Sequence, residues 1–288
     1  MCNLKKFCVI VNNDKENAYI CAEKITDYIK KSGCECVIIE NCSEKNGCVV
    51  CYTDCTSIPE GTDCIIVLGG DGTMIQAAHD VAECNIPLFG INLGGVGYLT
   101  ESTPNDNMWK DIDELIAGKY RIEKRMMLNG TVKTEGSTYT HRALNDFVVN
   151  KRDIGNLIGF EVYVNDVLLD SFFADGIIVS TPTGSTGYNL SAGGPILAPQ
   201  TESICVTPIC PHSLNDRSFV ISGDDTVKIK LTKGKNSNDD SAIVVSDGRK
   251  TENIVTGDTV EICKSDCYTS IVLKEDTNFY RRVRTKIN

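Results

Sequence analysis

The chain has 288 residues, 41% of them hydrophobic and 24% charged, a composition that excludes a disordered protein and leaves room for two domains. Its net charge of −10 argues against binding to nucleic acid, because such binding relies on a basic surface. The sequence shows neither a signal peptide nor an apolar run of the roughly 20 residues that cross a membrane. We therefore expect a cytoplasmic protein without membrane contact, whose 15 cysteines are reduced thiols.

The first hundred residues alternate apolar runs of strand length with patterns of helical spacing. Strands are predicted at residues 7–11, 36–39, 64–68 and 87–91. Helices are predicted between Ala18 and Ile29, at about residues 74–83, and from Trp109 to Ile116. This β-α-β order predicts a doubly wound parallel sheet.

The connection after the second predicted strand is rich in cysteine. Its four thiols are those of Cys42, Cys48, Cys51 and Cys55. Cys48 and Cys51 form a C-x2-C pair, a spacing at which thiolates hold zinc or an iron–sulfur cluster. The alternative is a cysteine-rich surface connection. Because no second tight pair and no adjacent histidine accompany these residues, we expect no bound metal.

A glycine-rich turn joins the third predicted strand to the second predicted helix. It consists of Gly69, Gly70, Asp71, Gly72 and Thr73. Backbone N–H groups in such a turn can converge on a phosphate at the helix N-terminus. Asp71 follows the carboxyl end of a parallel strand, where ligands bind in open α/β sheets. The alternative is a tight turn in which Asp71 or Thr73 caps the helix.

A second glycine-rich segment, residues 89–101, follows the next predicted strand. It places Gly97 beside Tyr98 and contains three further glycines. Two such turns at neighbouring strand ends would line one crevice. A flexible connection is the alternative, but glycines beside an aromatic ring favour close approach to a ligand.

The pattern changes after residue 129, where β-type runs are separated by turn signals. Asn165-Asp166 and Asp247-Gly248 each join two such runs, as expected of two-residue hairpins. Residues 233–240 are predicted to form a mobile hairpin tip. Residues 278–286 are predicted to form a short basic helix or tail. Its cationic side chains are expected on a solvated face or at a subunit contact: Arg281, Arg282, Arg284 and Lys286.

The most distinctive segment spans residues 175–195. A strand opens there into a loop dense in glycine, serine and threonine, with Tyr188 as its aromatic ring. Such a loop can offer many hydrogen bonds to a sugar or base and a surface for stacking. An ordinary loop seldom carries so many hydroxyl groups.

Together these segments resemble the successive motifs of NAD kinases. The resemblance covers most of the chain from about Cys64, in the family's order, at residues 69–73, 145–146, 181–188 with 191–195, 208–214 and 279–286. It implies an α/β N-terminal domain that is doubly wound and phosphofructokinase-like, with a mainly antiparallel all-β C-terminal domain. The first would cover residues 1–122, completed by 275–288, and the second, which binds NAD, residues 123–274.

The resemblance also implies roles for individual residues. Asp71 matches the catalytic aspartate that engages the 2′-hydroxyl of the adenosine ribose as general base. Phosphate binding is implied for Gly69, Gly70 and Gly72. NAD contacts are implied for Gly72, Thr73, Tyr98, Asn145, Asp146, Asp175, Thr183, Thr186, Gly187, Tyr188 and Ser191. Asn145 would bind the adenine, and Asp146, where the family usually has Glu, would hold the nicotinamide ribose.

The function implied is transfer of a phosphate from ATP, or from polyphosphate, to NAD, with Mg²⁺ or another divalent cation accompanying ATP. Some NAD contacts are expected from a neighbouring subunit of a homotetramer or homodimer. Two alternatives remain open. A diglyceride-type lipid kinase shares the glycine turn, and a non-catalytic NAD-sensing module would share the binding loop but would be expected to lose Asp71.

Overall fold

The computed structural model describes residues 4–11, 16–40, 53, 55–95, 97–105, 107–152, 157–213, 217–234 and 241–287. The chain divides into two compact units. Unit 1 comprises residues 1–124 and 267–288, and unit 2 comprises residues 125–266. None of the helices in the described ranges is long and apolar enough to cross a membrane.

The regular elements are numbered in chain order. The first are β1 (Lys6–Val11), α1 (Glu16–Lys31), β2 (Glu35–Glu40), β3 (Cys64–Leu68), α2 (Asp71–Asp80), β4 (Leu88–Ile91), α3 (Met108–Ile116), β5 (Arg121–Thr134) and β6 (Ser137–Ala143). The next are β7 (Asp146–Lys151), β8 (Ile158–Val164), β9 (Val167–Ala174), β10 (Gly176–Ser180), α4 (Tyr188–Ser191), β11 (Ser203–Ile209) and β12 (Phe219–Ser222). The last are β13 (Val227–Thr232), β14 (Ser241–Ser246), β15 (Arg249–Val255), β16 (Thr259–Leu273) and α5 (Phe279–Ile287).

Unit 1 is built on parallel strands in the order β2-β1-β3-β4, with the last residues of β16 beside β4. Phe7 and Val9 of β1 pack in one core cluster with residues of α1 and α3, while Cys8 and Ile10, on the other face, are also buried. Burial of both faces confirms the doubly wound prediction. The strand order reverses between β1 and β3, and ligands bind beyond the carboxyl ends of strands at such a point.

Unit 2 consists mainly of antiparallel strands. One sheet has the order β12-β11-β10-β7-β14-β15, and all of its pairs are antiparallel. Antiparallel pairs also join β16 to β13, β13 to β8, β8 to β9, and β5 to β6. The predicted fold class of the second domain, mainly antiparallel all-β, is therefore confirmed.

Both predicted two-residue hairpins are present. The backbone of Asn165 and Asp166 has φ of 49° and 63°, and that of Asp247 and Gly248 has φ of 49° and 79°. Positive φ at both central residues is the geometry whose twist matches that of the flanking strands. Part of the predicted hairpin tip, residues 235–240, lies outside the described residues.

The second helix differs from its prediction. It begins at Asp71, three residues before the predicted start at 74, and ends at Asp80, where a short 3-10 turn at Ala82–Cys84 follows. The helix begins directly after Gly70, so the residues assigned to the turn form its first turn. Asp71, Gly72 and Thr73 therefore belong to the helix N-terminus, where backbone N–H groups lack partners within the helix.

Candidate functional site

The glycine turn of unit 1 leaves the start of α2 open. Gly70 is the N-cap residue, and no side chain forms a capping hydrogen bond there. A Cβ atom on Gly69 would lie 2.2 Å from the Thr73 hydroxyl oxygen, so glycine is required for this close approach. The first N–H groups of a ten-residue helix are thus free of a side-chain cap, an arrangement suited to an anion such as phosphate.

The Asp71 carboxylate binds the second glycine-rich segment instead of capping its own helix. The backbone N–H of Tyr98 donates to Oδ2 at 2.7 Å, and that of Leu99 donates to Oδ1 at 3.0 Å. The alternative in which Asp71 or Thr73 caps α2 is therefore wrong. These two hydrogen bonds hold the carboxylate in one orientation. Its remaining lone pairs can still accept a hydrogen bond from a substrate hydroxyl group.

The described residues of the second glycine-rich segment, 92–95 and 97–100, form a hydrogen-bonded loop rather than a loose connection. The Asn92 side-chain oxygen accepts a hydrogen bond from Gly94 N–H at 3.0 Å, and the Thr100 hydroxyl accepts one from Gly97 N–H at 2.7 Å. A Cβ atom on Gly97 would lie only 1.8 Å from the Asp71 carboxylate. The glycine thus allows the loop to pack directly on the catalytic candidate.

In unit 2 the hydroxyl-rich segment packs against the Asn145-Asp146 pair. Thr181 N–H donates to the Asn145 carbonyl at 2.8 Å, and the Thr181 hydroxyl donates to the Leu144 carbonyl at 2.6 Å. A Cβ atom on Gly184 would lie 2.3 Å from the Asn145 carbonyl oxygen. The buried Oδ1 of Asn145 has no hydrogen-bond partner in the described part of the chain. A ligand N–H group could satisfy this acceptor.

Many hydroxyl groups of this segment shape the loop itself. The Ser180 hydroxyl donates to the Thr181 carbonyl at 2.9 Å, and the Ser185 hydroxyl donates to the Pro182 carbonyl at 2.6 Å and accepts from Leu197 N–H at 3.0 Å. Both residues are completely buried. The abundance of hydroxyls therefore reflects loop folding as well as ligand binding, because buried backbone groups need partners.

The residues left for a ligand lie around the short helix α4. Gly187, Tyr188 and Ser191 are exposed, with the Tyr188 side chain 43% accessible. Thr186 is half-buried, and its hydroxyl donates to the Thr183 carbonyl at 3.3 Å. Thr183 is buried, and its hydroxyl accepts a hydrogen bond of 3.4 Å from Arg125. An exposed tyrosine ring beside a rigid loop is suited to stacking on a base.

Asp175 lies apart from the other candidates of unit 2. It precedes β10, whereas Thr181 follows that strand, so the two are about 20 Å apart along an extended backbone. Its carboxylate pairs with the Lys151 ammonium at 2.5 Å. The chain does not bring Asp175 to Asn145 or Tyr188, and its implied NAD contact stays a prediction that involves a neighbouring subunit.

Asp247 supports the site, although its sequence pattern indicates only a hairpin residue. The Asp247 carboxylate accepts backbone hydrogen bonds from Leu144 and Asn145, both at 2.7 Å, and from Asp146 at 3.2 Å. Asp247 N–H donates to the Asp146 carbonyl at 3.1 Å. Asp247 therefore fixes the backbone of the predicted adenine- and ribose-binding pair. No local signal could reveal this contact, because about a hundred residues separate its partners.

Asp146 is buried close to this second carboxylate. Burial, and then the charge of Asp247, raise the pKa of Asp146 from 3.8 to about 7. In the folded chain Asp146 therefore retains a proton that an unfolded chain would release. The contribution of this group to the free energy of unfolding is fully present below the pKa of the unfolded chain, 3.8. It decreases as pH rises and is lost by the pKa of the folded chain, about 7.

We expect the free energy of unfolding to fall with rising pH between about 4 and 7, and Asp146→Asn to make this dependence shallower, since the amide does not titrate. Urea denaturation of both proteins across this range measures the effect. An equally steep dependence in the variant would show that other groups cause it.

Only one of the four thiols in the cysteine-rich connection belongs to a described residue. Cys42, Cys48 and Cys51 lie outside the described residues, and Cys55 is exposed. Within the described ranges, no three His, Cys, Asp or Glu side chains are grouped so as to hold a metal ion. The absence of metal at the four cysteines stays a prediction.

The predicted site residues thus form two groups. Unit 1 brings together Gly69, Gly70, Asp71, Gly72, Thr73 and Tyr98. Unit 2 brings together Asn145, Asp146, Thr183, Thr186, Gly187, Tyr188 and Ser191. The first group offers an anion-binding helix terminus beside an oriented carboxylate, and the second offers an aromatic face with an unsatisfied acceptor.

Comparison with known proteins places both groups in one family. The sequence profile of the ATP-NAD kinase N-terminal domain matches residues 7–120, and that of the ATP-NAD kinase C-terminal domain matches residues 144–273. The chain is 40% identical over 287 residues to the NAD kinase of Lachnoclostridium phytofermentans, covering 98% of this chain and 99% of that protein. It is 38% identical to the NAD kinase of Lachnospira eligens, covering 99% of this chain and 100% of that protein.

Two solved structures share the fold. An NAD kinase from Archaeoglobus fulgidus in complex with ATP aligns with a TM-score of 0.75 at 26% identity and covers 98% of both chains. Yeast NADH kinase complexed with NADH aligns with a TM-score of 0.80 at 23% identity, over 99% of this chain and 88% of that one, a likeness of fold alone. With both domain profiles matched and about two-fifths of its residues shared with full-length relatives, this chain belongs to the NAD kinase family.

Proposed function

We propose that the chain transfers the γ-phosphate of ATP to the 2′-hydroxyl of the adenosine ribose of NAD, giving NADP. The observation that carries this proposal is the Asp71 carboxylate, held by two backbone N–H groups at the uncapped N-terminus of α2. A proton acceptor and an anion-binding terminus thus lie within one turn of helix. Phosphorylation of an alcohol needs both.

The chemistry assigns simple roles to the residues of unit 1. Phosphoryl transfer passes through a loose transition state, so the protein chiefly positions the reactants and neutralises charge on the transferred group. The N–H groups at the start of α2 would bind phosphate oxygens. Asp71 would accept the proton of the 2′-hydroxyl, which is lost late in such a reaction. ATP is proposed to enter as its Mg²⁺ complex, in which the cation neutralises part of the phosphate charge.

Unit 2 would supply recognition of NAD. The unsatisfied Oδ1 of Asn145 can accept a hydrogen bond from the adenine amino group, and the exposed ring of Tyr188 can stack on a base. Asp146 has two carboxyl oxygens for ribose hydroxyl groups, although its side chain is one methylene shorter than the usual Glu. The hydrogen bonds of Asp247 would keep Asn145 and Asp146 in place.

Replacing Tyr188 by Ala should weaken NAD binding by roughly 1–3 kcal/mol, the range for base stacking on an aromatic side chain. Isothermal titration calorimetry measures this directly. Tyr188→Phe is the matched control, because it retains the ring and removes only the hydroxyl, and its affinity should stay close to that of the parent. Unchanged NAD affinity in the alanine variant would remove Tyr188 from the site.

The alternatives are less favoured. A diglyceride-type lipid kinase needs an apolar surface for acyl chains, whereas the segment around α4 exposes Tyr188, Ser191 and glycine. A non-catalytic NAD-sensing module does not need Asp71, which is present and held in a bonded orientation. Relatives matched over nearly their whole length are NAD kinases.

Several finer features belong to the same proposal. We expect a cytoplasmic homotetramer or homodimer, with Asp175 contacting NAD bound to a neighbouring subunit. Polyphosphate could replace ATP as donor, because the helix terminus binds a phosphate group and not a base. Formation of NADP, followed with an NADP-specific dehydrogenase, tests the proposal with ATP and polyphosphate in turn and with NAD and NADH as acceptors. Failure to phosphorylate NAD with either donor would overturn the proposed function.

A further inference from the structure

The C-terminal helix α5 is bonded to the loop that carries the Asp71 partners. One terminal nitrogen of the Arg282 guanidinium, Nη1, donates to the carbonyl oxygen of Tyr98 at 2.9 Å, and the other, Nη2, pairs with the Glu101 carboxylate. The Arg282 side chain is 16% exposed and that of Glu101 is fully buried. Arg282 therefore does not lie on a solvated face, which was one of its two predicted positions; the other, a subunit contact, stays a prediction.

Glu101 fixes the orientation of Arg282. Its Oε1 binds the guanidinium, while its Oε2 accepts hydrogen bonds from the Thr277 hydroxyl at 2.5 Å and from Lys274 N–H at 3.2 Å. A buried carboxylate is stable only when it is paired and hydrogen-bonded, and this one has three donors. The guanidinium plane is thereby held with its second nitrogen directed at Tyr98.

The carbonyl that Arg282 binds belongs to the same peptide group that binds Asp71. The peptide between Tyr98 and Leu99 accepts from Arg282 through its oxygen and donates to Asp71 Oδ1 through its N–H at 3.0 Å. A cation bound to the carbonyl oxygen polarises the amide and strengthens its N–H as a hydrogen-bond donor. The two hydrogen bonds, one to each side of the peptide, therefore reinforce each other. Arg282 thus reaches Asp71 through one peptide group.

A second contact joins α5 to the same loop. The Lys286 ammonium lies 5.3 Å from the centre of the Tyr98 ring, a distance suited to a cation–π interaction. Lys286 is exposed, as are Arg281 and Arg284 on the same helix, whereas Arg282 is half-buried. Two of the four basic residues of the C-terminal segment, Arg282 and Lys286, therefore contact Tyr98.

We infer that Arg282 is a positioning residue for phosphoryl transfer, acting on the Asp71 carboxylate through the peptide between Tyr98 and Leu99. The inference rests on the proposed function, in which Asp71 accepts the proton of the 2′-hydroxyl. Arg282 is not a substrate-binding residue in this account. Its loss should lower kcat and leave the KM values for NAD and ATP nearly unchanged, because only the group that takes the proton is disturbed.

The first experiment compares Arg282→Gln with Arg281→Gln in the full-length protein. Small displacements of a reacting group are costly, so kcat should fall about 10-fold or more in Arg282→Gln and stay near the parent value in Arg281→Gln. Arg282→Lys keeps a positive charge beside Glu101 but cannot form both guanidinium hydrogen bonds. We therefore expect its kcat to lie between that of Arg282→Gln and that of the parent. Equal losses in the Arg281 and Arg282 variants, or a loss that appears in KM alone, would overturn the inference.

A double-variant cycle separates action through Asp71 from a general structural effect. Arg282→Gln should lower kcat in the parent protein but change it little when Asp71 is already Asn, because the group through which it acts has gone. If the kcat of the double variant is lowered by the product of the two single-variant reductions, Arg282 and Asp71 act independently and the inference is refuted. If Arg282→Gln does not fold, as shown by its thermal unfolding, Arg282→Lys takes its place in the cycle. If the parent protein itself forms no NADP, the proposed function fails before any variant is compared.

Discussion

Replacing Asp71 by Asn is expected to lower kcat by about 100-fold or more while NAD affinity changes little, the usual range for loss of a general base. The amide nearly preserves the shape of the side chain but cannot take a proton from the 2′-hydroxyl. Initial rates of NADP formation give kcat, and calorimetric titration gives NAD affinity.

The matched control is Asp63→Asn in the same unit. The Asp63 carboxylate also accepts two backbone hydrogen bonds, from Lys5 at 2.8 Å and Lys6 at 2.9 Å. Both substitutions weaken hydrogen bonds to backbone N–H groups and should lower the thermal stability, but only Asp71→Asn should abolish most of the activity. Near-normal kcat in Asp71→Asn with lowered stability would reduce Asp71 to a structural residue.

Gly97→Ala is expected to have an effect of similar size, although glycine has no reactive group. The added methyl carbon would lie 1.8 Å from Asp71 Oδ1, so the carboxylate or the loop must move. A displacement of about 1 Å at a reacting group can cost about 100-fold in rate. We therefore expect kcat to fall by about 100-fold in Gly97→Ala.

Gly95→Ala serves as the control for this prediction. A Cβ atom there would meet nothing within 4 Å, although both glycines belong to the same loop. Rates of NADP formation for the two variants, with thermal unfolding to confirm folding, provide the test. Similar rates in the two variants would mean that the loop relaxes without disturbing Asp71.

Sequence patterns predicted correctly those elements whose structure depends mainly on their own residues. β3 matches its prediction to the residue, because a buried run of five apolar residues is bounded by Asp63 and Gly69. The hairpin at Asp247-Gly248 was equally clear, because few dipeptides adopt positive φ at both residues. The start of α2 was misplaced because the glycines that mark a turn also permit a helix to begin.

Contacts between distant residues could not be predicted in this way. Asp247 binds the backbone of Asn145 across 102 positions, and Arg282 binds Tyr98 across 184. Neither contact changes the periodicity or composition of its own segment. The sequence therefore predicts the basic residues of α5 on a solvated face or at a subunit contact, and only the fold reveals that one of them is bonded to a buried carboxylate.

Unit 1 takes residues from both ends of the chain, with all of unit 2 between them. Ribosomal synthesis proceeds from the N-terminus, so Asp71 and Tyr98 leave the ribosome long before Arg282. A chain that ended just before α5, at residue 278, would contain every glycine motif and the whole of unit 2 but not the guanidinium that binds the Tyr98 carbonyl. Unit 1 can therefore be completed only after all of unit 2 has been synthesised.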